Sequence, residues 1–125
     1  MSERAQKIAV VDDDFTTRTL IVDFLEDRDF SVVHASDPND ISDQAKECQA
    51  FIMDVMIGKN RYAGINYIIE QRRNNVISPD ALVIFISNFG RENEEITSLL
   101  RQVGKYEWLD KPIQFAKLGR LVAEV

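Results

Sequence analysis

The sequence predicts an α/β fold in which a doubly wound parallel sheet of five strands alternates with five helices. Two observations predict it. Five short runs are apolar almost throughout, without the alternation of a half-exposed strand, as expected for strands buried on both faces. Stretches between and after them have apolar residues at helical spacing and are separated by Gly, Pro, Asn and Asp.

Taken in order, the pattern predicts these elements. Strands are predicted at 8–11, 30–35, 50–54, 81–86 and 106–109. Five helices are predicted. The first spans 15–28, and the second runs from Asp37-Pro38 to about residue 47. The third is centred on Ile65–Ile69 and ends near residue 75, and the last two span 91–103 and 114–124. Asp14 or Thr16 can cap the first helix, and Gly104 ends the fourth.

Composition limits the class of protein. With 125 residues, of which 45% are hydrophobic, the chain predicts one compact domain over 1–125. A net charge of -6 argues against direct nucleic-acid binding, which depends on clustered Lys and Arg. No apolar run approaches the roughly 20 residues of a membrane span, and no signal peptide is evident. A cytoplasmic location is therefore expected, and the single cysteine fits it.

Polar side chains follow the ends of four predicted strands. These residues are Asp12 and Asp13, Asp54, Ser87 and Lys111. Each has an ordinary interpretation: an acid can cap a helix, a serine can stabilise a turn, and a lysine can lie at the surface. The carboxyl ends of parallel strands meet at one edge, however, and that edge is where open α/β sheets bind ligands. The four strand ends together therefore predict one site.

Electrostatics indicates what such a site needs. Two carboxylates about 5 Å apart repel each other by roughly 3 kcal/mol at an effective dielectric constant near 20. A proton, a lysine or a divalent cation can offset this repulsion. A cluster of oxygen ligands without His or Cys favours Mg²⁺. With Mg²⁺, Lys111 and Ser87 around a phosphoryl group, Asp54 can act as the nucleophile in phosphoryl transfer.

At this point the sequence resembles the response-regulator receiver domain of bacterial two-component signalling. The matching pieces span nearly the whole chain: VVDDD at 10–14, FIMD at 51–54, VIFIS at 83–87 and GKYEWLDKP at 104–112. The resemblance implies a flavodoxin-like fold with strand order 2-1-3-4-5. It also implies that the protein is a signalling domain and not an ordinary enzyme. Such a domain catalyses only its own phosphorylation and dephosphorylation.

The resemblance implies a role for each site residue. Asp12 and Asp13 match the acidic metal pair, and Asp54 matches the phosphorylated aspartate. The backbone carbonyl of Met56 would complete the metal site. Ser87 and Lys111 match the hydroxyl and lysine that contact the phosphoryl group, and Trp108 matches the aromatic residue that moves inward on activation. A cis peptide bond before Pro112 is also implied.

Two departures from the receiver pattern stand out. Ile57-Gly58 replaces the usual Met-Pro, and Gly64 lies ten residues after Asp54 rather than about eight, so the intervening loop is longer by two residues. Met56, Asn88 and Phe89 are bulky or apolar where faster-hydrolysing relatives have polar or small side chains. Our hypothesis is that they hinder the attacking water and lengthen the lifetime of the phosphoryl group.

The resemblance also implies partners. A sensor histidine kinase or a histidine phosphotransferase would supply the phosphoryl group. A downstream protein would bind the face made by the fourth helix, the fifth strand and the fifth helix, and no output domain is expected within 1–125. One alternative is a pseudo-receiver, an interaction module that takes no phosphoryl group. Another is a hydrolase of the haloacid dehalogenase type, but its second acid would fall at Met56.

Overall fold

The computed structural model describes residues 6–125, so the first five residues of the predicted domain lie outside it. Five parallel strands form one sheet in the order β2-β1-β3-β4-β5, which confirms the predicted flavodoxin-like α/β fold. The strands are β1 (Lys7–Val11), β2 (Ser31–Ala35), β3 (Ala50–Asp54), β4 (Leu82–Ser87) and β5 (Glu107–Asp110). The helices are α1 (Phe15–Glu26), a 3₁₀ helix (Pro38–Glu47), α2 (Ala63–Arg73), α3 (Glu94–Val103) and α4 (Phe115–Val122).

The two faces of the sheet are covered by different helices. Phe51, Met53 and Phe85 pack in one core cluster with residues of α2, α3 and the 3₁₀ helix. Ile52 and Ile84, their neighbours along the strands, pack in the other cluster with α1 and α4. Central strands buried on both faces explain why the sequence shows unbroken apolar runs. No helix in the described part of the chain is long and apolar enough to cross a membrane.

The second helix differs in type from an ordinary amphipathic α-helix. Asp37 accepts a hydrogen bond from the Asn39 amide at 2.8 Å, and Pro38 stands in the first turn, as the sequence indicates. The segment that follows is a 3₁₀ helix, in which residues three apart lie above each other. Pro38 and Ile41 have this spacing and are both buried.

Capping side chains set where two of the α-helices begin. Asp14, rather than Thr16, caps α1 by accepting a hydrogen bond from the Thr17 amide. The predicted fourth helix, α3, begins at residue 94 and not at 91, because Asn93 accepts hydrogen bonds from the amides of Glu95 and Ile96. The predicted fifth helix corresponds to α4.

Gly64 brings α2 close to the end of β3. A Cβ atom at this position would lie 2.0 Å from the backbone oxygen of Asp54, so any side chain would collide with the strand. The Gly64 amide also donates to the Val55 carbonyl at 3.0 Å. This close approach fixes the position of the carboxyl end of β3, where Asp54 lies.

Candidate functional site

Three carboxylates meet at the carboxyl edge of the sheet. One oxygen from each of Asp12, Asp13 and Asp54 can be chosen so that all lie within 4.8 Å of one another. Asp12 and Asp54 are buried, whereas Asp13 is exposed. The register explains the convergence: Val11, just before Asp12, pairs with Met53, just before Asp54.

Lys111 supplies a positive charge to this cluster. Its Nζ lies 2.9 Å from Asp12 Oδ2 and 3.2 Å from Asp54 Oδ2. The Lys111 amide donates to the Ser87 carbonyl at 2.7 Å, which holds the β5–α4 loop against β4. The Lys111-Pro112 peptide bond is cis, as the resemblance implies. Of the candidates for offsetting the carboxylate charge, the lysine is therefore in place.

The ammonium group offsets only part of the repulsion. Burial, followed by the charge of Asp12, raises the pKa of Asp54 to about 7, although Lys111 opposes the rise. Burial by itself would lower the pKa of Lys111, but hydrogen bonding to Asp12 and the charge of Asp54 outweigh burial and raise it. Near neutral pH, Lys111 is therefore charged, and Asp54 is the group that exchanges a proton.

Backbone groups hold the first two acids in place. The Asp14 amide donates to Asp12 Oδ1 at 2.8 Å, and the Gly58 amide donates to Asp13 Oδ2 at 2.7 Å. Arg18 donates to the Asp12 carbonyl at 2.7 Å. Gly58 and Arg18 were not predicted as site residues. Arg18 lies in the first turns of α1, soon after Asp12 in the sequence, and this position could have indicated a contact with the end of β1. Nothing in the sequence indicated the contact between Gly58 and Asp13.

Ser87 is buried at the end of β4, but its hydroxyl is bonded to its own loop. Ser87 Oγ donates to the Phe89 carbonyl at 2.8 Å and accepts from the Phe89 amide at 3.0 Å. The structure therefore places Ser87 at the predicted edge of the sheet with its hydroxyl bonded to the β4–α3 loop.

Trp108 lies on β5 and is partly buried. Its ring centroid is 6.3 Å from that of Phe85, and its Nε1 donates to Asp110 Oδ1 at 3.2 Å. The guanidinium of Arg91 lies 5.9 Å from the centre of the Trp108 ring. Trp108 thus links β5 to the segment that precedes α3.

A cavity of about 180 Å³ gives access to Asp54. Met56, Asn88 and Phe89, the three bulky or apolar residues expected to hinder the attacking water, all line it, as does Lys111. The Met56 residue is 41% exposed. The cavity places these three side chains beside Asp54, where they can restrict access to it.

The donor set suits a hard divalent cation. All of the clustered side-chain ligands are carboxylate oxygens, which Mg²⁺ and Ca²⁺ prefer. The only histidine, His34, lies exposed on β2 and is not part of this cluster. Asp12, Asp13 and Asp54 therefore fit the expected Mg²⁺ as ligands.

The fold and the site define a doubly wound α/β protein with an acidic pocket and a paired lysine at the carboxyl edge of its sheet. The family model of the response regulator receiver domain matches residues 8–123. The chain belongs to this family, whose members are the receiver domains of two-component signalling. A search of curated proteins found no match.

Solved structures agree on the fold. The chain is similar to Vibrio cholerae chemotaxis protein CheY4, with a TM-score of 0.82 and 20% identity, over 98% of this chain and 99% of that one. It is similar to a CheY-like receiver domain protein from Methanospirillum hungatei, with a TM-score of 0.80 and 15% identity, over 97% and 93% of the two chains. A response regulator from Burkholderia pseudomallei, solved with a phosphorylated aspartic acid, a calcium ion and citrate, has a TM-score of 0.73 and 18% identity, over 93% and 66%.

Proposed function

We propose that this receiver domain accepts a phosphoryl group on Asp54 from a phosphohistidine of a sensor histidine kinase or a histidine phosphotransferase. The observation that carries the proposal is the position of the Asp54 carboxylate. It lies 3.2 Å from the Lys111 ammonium, beside two further acids and at a cavity of about 180 Å³. The B. pseudomallei response regulator with a phosphorylated aspartic acid and a calcium ion gives the proposal a precedent in the same fold.

In the proposed reaction, an oxygen of ionised Asp54 attacks phosphorus. The bond between phosphorus and the histidine nitrogen breaks, and the leaving imidazole takes up a proton. Lys111 exchanges its contact with Asp54 for one with a phosphoryl oxygen and keeps its contact with Asp12. Bound at Asp12, Asp13, Asp54 and the Met56 carbonyl, Mg²⁺ would neutralise charge on the phosphoryl oxygens and lower the pKa of Asp54.

The phosphoryl group would then change the conformation of the domain. In this proposal Ser87 releases the Phe89 carbonyl and donates to a phosphoryl oxygen, and Trp108 moves inward. The α3–β5–α4 face would pass the change to a downstream protein. We further propose that the domain works in the cytoplasm, and that it catalyses only its own phosphorylation and dephosphorylation.

Phosphorylation of Asp54 is tested with a small acyl phosphate as donor, in the presence of Mg²⁺. We expect the protein to gain one phosphoryl group, detected by intact mass and removed by hydroxylamine. Asp54→Ala should gain none, because it lacks the nucleophile, whereas Asp23→Ala, which removes an exposed acid of α1, should label like the parent. If the parent protein gains no phosphoryl group when the donor and Mg²⁺ are both present, the result would support the pseudo-receiver alternative.

The side chains that line the cavity should set the lifetime of the phosphoryl group. We expect Met56→Asn and Asn88→Ala each to speed loss of the label by roughly tenfold, equivalent to about 1.4 kcal/mol in the activation barrier. The first adds a group that can hydrogen-bond a water molecule, and the second opens space beside Asp54. The measurement is the decay of labelled protein after the donor is removed.

Leu20→Asn serves as the control for this experiment. Leu20 is an exposed apolar residue of α1 that does not line the cavity of about 180 Å³. Its replacement should leave the decay rate unchanged. Equal decay rates in the parent, Met56→Asn and Asn88→Ala would show that the lining side chains do not limit hydrolysis.

A further inference from the structure

The lengthened loop after Asp54 begins with a tight turn. The amide of Ile57 donates to the carbonyl of Asn60, and the amide of Asn60 donates to the carbonyl of Ile57, both at 3.0 Å. Gly58 has a φ of +61°, whereas Lys59 is not among the residues with positive φ. A positive φ at the first central position alone is the pattern of a type II′ turn, which strongly favours glycine there.

The turn leaves one amide free to bond elsewhere. Both hydrogen bonds that close it use the amides of Ile57 and Asn60, so the Gly58 amide takes no part. It donates instead to Asp13 Oδ2 at 2.7 Å, across 45 positions of sequence. A hydrogen bond of this length to an ionised carboxylate is charge-assisted and stronger than a neutral one.

This contact matters because Asp13 is the exposed member of the acidic cluster. An exposed aspartate otherwise rotates among several rotamers, and a cation that binds it must first restrict that motion. Asp12 is held by the Asp14 amide and Lys111, and Asp54 is held by Lys111. With the Gly58 contact, each of the three carboxylates has a fixed partner.

We propose that the Gly58 amide is a positioning group of the cation site, which holds the Asp13 carboxylate in the orientation that binds a divalent cation. A carboxylate offers about four lone-pair sites, so one amide leaves room for a metal ion. The inference rests on the proposed function in one respect, namely that Asp12, Asp13 and Asp54 bind Mg²⁺. It adds that the turn at Ile57–Asn60 and the cation stabilise each other, since linkage between two sites is reciprocal.

Two substitutions at Gly58 test whether the N–H group itself contributes to Mg²⁺ binding. Gly58→Pro removes the N–H group, and Gly58→Asn keeps it. Both variants place a side chain at a position with positive φ and strain the turn, but only the proline variant lacks the donor. We expect the proline variant to bind Mg²⁺ at least roughly tenfold more weakly than the parent, the usual cost of losing a hydrogen bond to a metal ligand. The asparagine variant retains the donor and should bind Mg²⁺ several-fold more tightly than the proline variant. Calorimetric titration of the whole metal-free chain with MgCl₂ measures both affinities.

Proline also disturbs the turn, so a second measurement leaves Gly58 unchanged. Hydrogen exchange of the Gly58 amide is followed by NMR in the parent, Asp13→Asn and Asp13→Ala, without metal. Asparagine retains an oxygen acceptor and should keep the amide protected, whereas alanine should expose it to exchange. In the parent, saturating Mg²⁺ should slow exchange of the Gly58 amide further.

The outcomes distinguish two failures. If the parent binds Mg²⁺ but Gly58→Pro binds it equally or more tightly, the positioning role is wrong and the proposed phosphoacceptor function is untouched. The same conclusion follows if saturating Mg²⁺ leaves exchange of the Gly58 amide unchanged. If the parent binds no Mg²⁺, both the positioning role and the Mg²⁺-dependent function are refuted.

Discussion

Replacing Lys111 with methionine is expected to lower the free energy of unfolding of the metal-free protein by about 3 to 5 kcal/mol near pH 8. The Lys111 side chain is 9% exposed and its ammonium contacts both Asp12 and Asp54, which are buried. Methionine has a similar length but no charge, so two buried carboxylates would face each other without a cation. The loss should shrink towards pH 5, because Asp54 takes up a proton and the repulsion falls.

Urea unfolding in EDTA, near pH 8 and near pH 5, measures this effect. Lys117→Met is the matched control, since Lys117 is an exposed lysine of α4 and its loss should change stability little. Equal stability of Lys111→Met and the parent near pH 8 would mean that the ammonium does not stabilise the acidic cluster.

Replacing Asp54 with asparagine is expected to act in the opposite direction. Without metal, the variant should be about 3 to 4 kcal/mol more stable than the parent near pH 8, because asparagine carries no charge to repel Asp12. Adding Mg²⁺ should reduce or reverse this advantage, since only the parent retains all three carboxylate ligands. Stabilisation by the loss of a side-chain charge is the expected signature of a site built for a ligand.

The dependence on pH follows from the pKa of Asp54. Folding raises it from 3.8 to about 7, so between these values the folded state binds more protons than the unfolded state. The contribution of Asp54 to stability therefore falls as the pH rises through this window, and the full cost is present above about pH 7. The advantage of Asp54→Asn should accordingly be largest near pH 8 and should decrease steadily towards pH 4.

Urea midpoints between pH 4 and pH 8, in EDTA and in Mg²⁺, test this prediction. Asp23→Asn, which removes an exposed carboxylate of α1 outside the acidic cluster, is the matched control. An advantage of Asp54→Asn that does not vary with pH would mean that ionised Asp54 is not disfavoured by its surroundings.

Most of the fold could be predicted because its signals are local. Unbroken apolar runs identified β1, β3 and β4, whose residues are nearly all buried, and each helix was found within a few residues of its observed bounds. The two differences, the start of α3 and the type of the second helix, have simple causes. Asn93 caps α3 three residues after the predicted start, and the 3₁₀ geometry of Pro38–Glu47 depends on packing against the sheet rather than on its own weak apolar pattern.

The site was predictable only in part. That Asp12, Asp13, Asp54 and Lys111 converge follows from the parallel topology, because the ends of neighbouring strands meet at one edge. Which cation offsets the acids could not be decided from the sequence, since it depends on distances of about 3 Å between side chains. The Gly58 contact with Asp13 depends on the shape of a turn that no local pattern specified.

The bond between the Ser87 hydroxyl and the Phe89 carbonyl has a consequence for how readily the β4–α3 loop can rearrange. Because the hydroxyl already has a partner, an oxyanion that recruits it would replace a neutral hydrogen bond with a stronger, charge-assisted one. The net driving force is then the difference between the two bonds and not the full strength of the new one. Because part of the gain is offset in this way, a bound protein that favours the same loop arrangement would add to the effect of a phosphoryl group, and each would strengthen binding of the other.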